Sequence, residues 1–360
     1  MEEAFAKSEN ESKRAFGESK LFLEKYLIRP KHIEVQILGD NYGNIVHLYD
    51  RDCSVQKNNQ KVIEFAPAWT ISDEIRKKIL DSAKRLARRV GYTNAGTMEF
   101  LVDEEENPYF IEMNPRIQVE HTVTEMITGI DIVICQILVA EGYPLNSPNI
   151  HIYSQNEVKS IGYSIQVRIT TEDPSNHFLP DHGKIDLYRS SAGNGIRLDG
   201  GIAYTGAVIT AHYDSLLVKL VSHDRTFAGA IRKSVRALKE FRIHGIQTNM
   251  TFLINVLNHE VFQKGKCYTT FISETPELIE MHNKLDRTTK ILEFLANKMV
   301  NVNPGPKPDL EDRKVPVIDT EKEIRGTRDE FLRLGAKEFT QKVYRSKKLY
   351  VTDTTMRDGQ

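Results

Sequence analysis

Cysteine is scarce in this chain. Three residues, Cys53, Cys135 and Cys267, are spread over 360 positions. An odd, dispersed set cannot all pair, which excludes a disulfide-stapled fold and favours a reduced, cytoplasmic setting. Long apolar runs are missing too: the longest, Gly129 to Ala140, is too short to cross a bilayer and contains Asp131 and Gln136. The first residues, Met1 to Lys7, are acidic and hold no apolar signal-peptide core. An excess of one charge is likewise absent. Lys plus Arg number 49 against 50 Asp plus Glu, a net charge of −1, so nothing marks a nucleic-acid partner. What remains is 40% hydrophobic and 28% charged, the make-up of a globular chain of about two domains with no membrane partner.

The chain begins with a polar stretch, Met1 to Ser19, that reads as an amphipathic helix or a frayed tail. A hairpin follows. His32 to Leu38 alternates polar and apolar, residues 39–44 supply turn chemistry, and Ile45 to Tyr49 returns. The period of two puts Ile33, Val35 and Ile37 on one face and His32, Glu34 and Gln36 on the other. Ser72 to Val90 reads as a helix with Ser72 as N-cap, a stripe of Ile75, Ile79, Leu86 and Val90, and Gly91 as its end. A second hairpin joins Gly96–Asp103 to Pro108–Asn114, and a buried helix is expected over Asp131 to Glu141. Residues 160–272 read as a separate α+β unit, with strands at 161–169, 184–188, 207–210 and 216–222 and helices at 226–241 and 249–258. Beyond it come a helix at 288–298, an extended linker with four of the thirteen prolines between Pro304 and Pro316, and a helix at 327–342.

The second hairpin carries the chemistry. A four-residue loop, Glu104 to Asn107, sets Asp103 opposite Pro108, Leu101 opposite Phe110 and Glu99 opposite Glu112, with Asn114 on the face of Glu112. Opposed strand residues lie about 5 Å apart, where two bare carboxylates repel by about 3 kcal/mol at an effective dielectric near 20. Two readings are open from spacing alone: a solvated acidic face, or an all-oxygen site for Mg²⁺ or Mn²⁺. Just beyond, alternation places Arg116, Gln118 and Glu120 on the same face. A cation, a neutral donor and a carboxylate in line suit a small oxyanion awaiting deprotonation.

The run Glu112-Met113-Asn114-Pro115-Arg116-Ile117-Gln118-Val119-Glu120-His121 resembles the signature of biotin carboxylases, members of the ATP-grasp superfamily. Four more stretches agree in family order: Phe22 to Tyr26, Arg51 to Gln56, Gly195 to Gly201, and Tyr213 to Leu217. The resemblance implies ATP-dependent carboxylation of biotin with bicarbonate, through carboxyphosphate. It implies Glu99, Glu112 and Asn114 as ligands of the Mg²⁺ or Mn²⁺ on ATP, with Glu112 also an ATP contact. Glu24 and Lys25 would meet adenine on a strand linking the two lobes, Leu27 and Leu101 would pack on its ring, and His32 and Gln56 would reach the ribose and nearby groups. Arg116, Gln118 and the Val119 amide would hold bicarbonate, and Glu120 would take its proton. Lys61 would neutralise phosphate charge, and Arg168 would stabilise the biotin enolate oxygen. Without that resemblance, His32 reads as a surface histidine, Lys61 as solvated loop charge and Cys53 as a packed thiol. At Asn59 many family members carry a histidine.

The carboxyl end adds a second resemblance. Leu295 to Gly305 looks like the connector of pyruvate carboxylases, and Val351 to Gln360 like the first strand of their carboxyltransferase barrel, where Arg357 and Asp358 would belong to a site incomplete without the other strands. The expected fold is α+β. Residues 1–150 are the carboxyl-terminal half of an ATP-grasp domain and 151–275 the biotin carboxylase C-terminal domain. Residues 276–347 are a connector with the Pro-rich linker, and 348–360 open a TIM-type barrel. No glycine-rich phosphate loop or Ala-Met-Lys-Met biotin-attachment motif occurs, so the sequence reads as part of a longer, homo-oligomeric enzyme whose biotin rides on a carrier domain elsewhere. The isolated piece is expected to bind ATP weakly and to be inactive, and a non-catalytic assembly or regulatory fragment or the biotin carboxylase of an acyl-CoA carboxylase are the alternatives.

Overall fold

The computed structural model describes residues 2–17, 19, 21, 24–201, 203–279, 287–302 and 326–348. One compact unit runs to Ile279 and a second follows. In the first, helix α1 (Glu2–Phe16) precedes strands β1 (Lys31–Gly39), β2 (Ile45–Lys57) and β3 (Gln60–Ala66), then α2 (Asp73–Arg89), β4 (Asn94–Val102) and β5 (Pro108–Asn114). Helices α3 (His121–Thr128) and α4 (Ile132–Ala140) lead to β6 (Tyr163–Thr170), β7 (Ile196–Gly200) and β8 (Leu216–Asp224), and α5 (Phe227–Glu240) and α6 (Met250–Asn258) complete the main elements. Eight strands form one antiparallel sheet in the order β7-β8-β6-β3-β2-β1-β4-β5. The sheet is continuous across the expected boundary near residue 150, because Glu64 of β3 pairs with Gln166 of β6.

Both faces of β1 are covered. Ile33, Val35 and Ile37 join Met98, Phe100 and Val102 against Ile79, Leu80, Ala83 and Ala87 of α2. The buried stripe of α2 differs from the expected one: Leu86 and Val90 are exposed. Alanines at 83 and 87, one turn apart, let the helix lie close to the sheet, and that turns Leu86 outward. Ser72 caps the helix by accepting from the Ile75 N–H, and Gly91 ends it at φ +62°. The other face of β1 carries His32, Glu34 and Gln36, which alternation alone would leave to solvent. All three are buried: Glu34 and Gln36 accept from Arg51, which also bonds Thr124 of α3, and His32 bonds Glu99 at the edge of a cleft.

The hairpin register departs from expectation near its tip. Asp103 belongs to the turn, accepting from the Asn107 and Glu106 N–H groups, so Val102 pairs with Pro108 and Leu101 with Tyr109. An extra residue on β5 then bulges between Phe110 and Glu112, restoring the Glu99–Glu112 pair. Phe110 therefore stacks edge-on against Phe100, on the face away from Leu101. Helix α4 is capped by Asp131, which accepts from the Ile134 N–H, but only one side of the expected buried helix is buried: Val133, Ile134 and Ile137 are exposed.

The second unit contains α7 (Arg287–Val302) and α8 (Thr327–Arg345), the latter broken at Gly335 (φ +75°). No single helix among the described residues is long and apolar enough to cross a membrane. The Pro304–Pro316 linker and the barrel-strand segment with Arg357 and Asp358 lie outside the described residues.

Candidate active site

The polar face of the sheet ends in a cleft of about 690 Å³, lined among others by Lys61, Glu112, Asn114, Arg116, Glu120 and Arg168. Its floor is a chain of ion pairs. Arg51 of β2, wholly buried, donates to Glu34 at 3.0 Å, Gln36 at 2.8 Å, Thr97 and Thr124 at 3.0 Å, and Gln118 at 2.9 Å. One guanidinium thus ties β1, β4, α3 and the 115–120 segment together, as its planar set of five donors permits. Lys61 of β3 projects beside it, with Nζ bonded to Glu34, at 2.7 Å from Glu120 Oε1 and at 3.2 Å from Glu99 Oε1.

Glu99, Glu112 and Asn114 meet on one face. Asn114 Nδ2 donates to Glu99 at 3.0 Å and to Glu112 at 3.1 Å, while its Oδ1 accepts from Arg116 at 3.3 Å. Gln118 and His32 also donate to Glu99, at 2.7 and 2.8 Å, and Gln56 donates to His32 Nδ1 at 2.7 Å. The Gln56 bond leaves the ring proton on Nε2, aimed at Glu99. Burial works against the charge on Glu99, but the bond from His32 and the Lys61 ammonium prevail and draw its pKa down to about 2. Two carboxylates held by one amide fit a divalent cation, since all three side chains offer hard oxygen donors once the amide turns.

Glu120 sits where β3, β6 and α3 meet. It is 2% exposed, and Arg168 Nη2 lies 3.0 Å from its second oxygen. Burial opposes its charge, yet Lys61, Arg168 and Arg51 outweigh that cost and hold the carboxyl well below the usual carboxylate range. Arg168 also bonds Glu64 through Nε at 2.6 Å and through Nη2. Its Nη1 makes no bond among the described residues and is left for the cleft. Burial pushes the Glu64 carboxyl up despite Arg168.

Sequence reasoning passed over Arg51, Glu34 and Glu64 as site residues. Their signal was the charged set alternating with apolar residues on β1 to β3, which has no solvent to face once α3 covers it. The expected adenine contacts, and Gln56 expected at the ribose, are not among the residues that line the cleft. Glu24 and Lys25 are exposed, residues 24–27 form no strand because none of the described residues pairs with them, and Leu27, Gln56 and Leu101 do not line the cavity. Lys25 instead donates to the Tyr109 hydroxyl at 3.3 Å, on the same hairpin as Leu101. Asn59 lines the cleft. Cys53 is the packed thiol expected, burial first and Glu34 second pushing its pKa up.

Residues 1–148 match the family model "Carbamoyl-phosphate synthase L chain, ATP binding domain", and residues 166–274 match "Biotin carboxylase C-terminal domain". The chain is 50% identical over 364 residues to a pyruvate carboxylase of Bacillus subtilis, covering 100% of this chain and 32% of the relative. It is 48% identical over 365 residues to one of Staphylococcus aureus, again covering 32% of that protein. It therefore spans about a third of the length of these relatives. Among solved structures, the biotin carboxylase domain of Hydrogenobacter thermophilus 2-oxoglutarate carboxylase, a dimer with MgADP, ADP and bicarbonate, superposes with a TM-score of 0.73 at 43% identity. That match covers 78% of this chain and 60% of that one. Rhizobium etli pyruvate carboxylase with acetyl coenzyme A gives 0.76 at 43% identity, covering 99% of this chain and 32% of that one. The two family matches, in order and together covering most of the chain, and the identity carried through to its carboxyl end make the chain similar to the biotin carboxylase region of pyruvate carboxylases.

Proposed function

We propose that this chain serves the ATP- and bicarbonate-dependent carboxylation of biotin, the first half-reaction of a pyruvate carboxylase that converts pyruvate to oxaloacetate. The observation that carries this reading is the convergence of Glu99, Glu112 and Asn114 with Arg116, Gln118 and Glu120 on one cleft. Glu99, Glu112 and Asn114 would hold Mg²⁺ or Mn²⁺, which when bound offsets the charge of the ATP phosphates. Lys61 adds a cation beside them. Glu24, Lys25, Leu27, Leu101, His32 and Gln56 are assigned to the nucleotide as the resemblance implies, with Tyr109 holding Lys25.

Arg116, Gln118 and the Val119 N–H hold bicarbonate, whose proton passes to Glu120. A carboxylate clasped by two cations is a weak acceptor. An incoming anion draws Lys61 and Arg168 toward itself and adds negative charge, and both effects raise the affinity of Glu120 for a proton. The bicarbonate oxygen then attacks the γ-phosphorus, and ADP leaves. The carboxyphosphate formed splits into CO₂ and phosphate, phosphate takes the ureido proton of biotin, and the ureido nitrogen attacks CO₂. Arg168 Nη1 faces the enolate oxygen that develops on biotin. Biotin arrives on a carrier domain, the enzyme works in the cytoplasm as a homo-oligomer, and residues 348–360 begin its carboxyltransferase barrel.

The test is bicarbonate-dependent ATP cleavage with free biotin, by the native chain and by Glu120→Gln. Cleavage by the native chain that Glu120→Gln abolishes supports the reading. Full turnover in Glu120→Gln means that another group takes the proton. No bicarbonate-dependent cleavage by the native chain would favour an assembly role instead.

A further inference from the structure

Two side chains outside the cleft hold consecutive carbonyls of the segment that carries Arg116, Gln118 and Glu120. His121 Nδ1 lies 2.7 Å from the Gln118 carbonyl oxygen, and Lys219 Nζ lies 3.1 Å from that of Val119. Neither residue touches the carboxylates of the cleft. Lys219 stands on β8 between Asp199 of β7 and Arg168 of β6, its direct partners across the sheet. Its other bond is to Asp199, at 3.2 Å, and Asp199 in turn accepts from Arg197. His121 is the first residue of α3, with Nε2 3.8 Å from Glu125, whose carboxylate also accepts from Arg197 at 2.6 Å. Burial and the adjacent Lys219 charge hold His121 below its ordinary pKa, and the single proton of the neutral ring belongs on Nδ1, facing the carbonyl.

A trans peptide sends its C=O and the following N–H to opposite sides. Fixing the carbonyls of Gln118 and Val119 therefore fixes the N–H groups of Val119 and Glu120 on the other sides of their peptide planes. Neither N–H donates to any described residue, and both Val119 and Glu120 line the cleft. We infer that His121 and Lys219 are positioning residues, which turn these two N–H groups into a preformed pair of donors for the anion bound in the cleft. This rests on the reading of that anion as bicarbonate. Arg197 and Asp199 complete the arrangement by anchoring Lys219 and, through Glu125, the start of α3.

The experiment uses the full chain, ¹⁵N-labelled, titrated with bicarbonate while the Val119 and Glu120 amide resonances are followed. Native chain is compared with His121→Asn, His121→Gln, Lys219→Arg and Lys219→Met, each checked for a native-like melting curve. Asn places its N–H where Nδ1 stands and Gln places it near Nε2, so Asn is the smaller yet more faithful replacement. The expected result is bicarbonate affinity near native in His121→Asn and Lys219→Arg. His121→Gln and Lys219→Met should be weaker by about tenfold, the weight of one lost hydrogen bond to an anion, with smaller Val119 and Glu120 amide shifts. Native-like binding in His121→Gln and Lys219→Met overturns the inference while leaving the proposed function intact. Equal weakening by Asn and Gln assigns His121 to packing alone and also overturns it. If the native chain binds no bicarbonate, the functional reading fails first and the inference falls with it.

Discussion

Replacing Lys61 with methionine removes one cation from a pocket holding three carboxylates. Its Nζ bonds Glu34 and lies 2.7 Å from Glu120 and 3.2 Å from Glu99, and the side chain is 16% exposed. Oxygens of Glu34 and Glu120 stand within 4.8 Å of one another. At an effective dielectric near 20, unscreened charges at that distance repel by about 3 kcal/mol. Arg51 and Arg168 remain to offset part of it, so the expected loss at pH 8 is about 3–5 kcal/mol, the usual cost of breaking a buried pair. The pH dependence gives the sharper test. In the native chain Glu99 and Glu120 have lowered pKa values, so their contribution is present above about pH 4.5 and fades as pH falls, that of Glu99 toward about 2. Without Lys61, at least one of the three carboxyls rises above its unfolded value and opposes folding increasingly as pH climbs through that raised pKa. The variant should therefore lie furthest from native at pH 8 and recover part of the difference by pH 5. Urea unfolding at both values, read by fluorescence of the one tryptophan, Trp69, packed on Phe227, measures this. An equal loss at pH 5 and pH 8, or a loss under about 1 kcal/mol, would refute the argument.

Glu99 alone should account for much of the acid sensitivity. A carboxyl moved from 4.5 to about 2 contributes about 3 kcal/mol that disappears between those values, so Glu99→Gln should flatten the stability–pH curve there. Arg51→Met leaves Glu34 with Lys61 as its remaining cation and strips five acceptors of their donor, which predicts a loss of about 3–5 kcal/mol by urea unfolding. Arg51→Lys should recover less than half of it, because an ammonium cannot span those five acceptors.

The alternation of β1, the Ser72 cap, the helices after residue 226 and the Glu99–Glu112 pairing are all legible in the sequence, because each rests on local periodicity or turn chemistry. The pairing survives although the turn takes one residue more than expected, since the bulge at Ile111 cancels that shift. Nothing in the sequence announces the longer turn or the bulge, and so the expected Leu101–Phe110 pair gives way to Leu101–Tyr109. The partners of Arg51 were illegible for a different reason. They come from four stretches of chain, and only the closure of α3 over the sheet makes a polar strand face an interior one. An Arg, a Lys and three Glu on strands that otherwise read as half-exposed are the trace of that closure, once the fold is known.

That closure also explains why the proposed base is so well tethered. Glu120 joins the two parts of the sheet, through Lys61 on β3 and Arg168 on β6, and Arg168 is held from behind by Glu64. A carboxylate bonded this firmly is placed to within a hydrogen bond's tolerance and stays ionised at any ordinary pH, but for the same reason it resists protonation. Positioning and basicity thus oppose each other, and only a change in the cations can reconcile them. Both contacting cations border the cleft that an anion would enter, so the ligand itself supplies that change. Proton transfer is then coupled to occupancy of the site, and an empty cleft keeps its base inert.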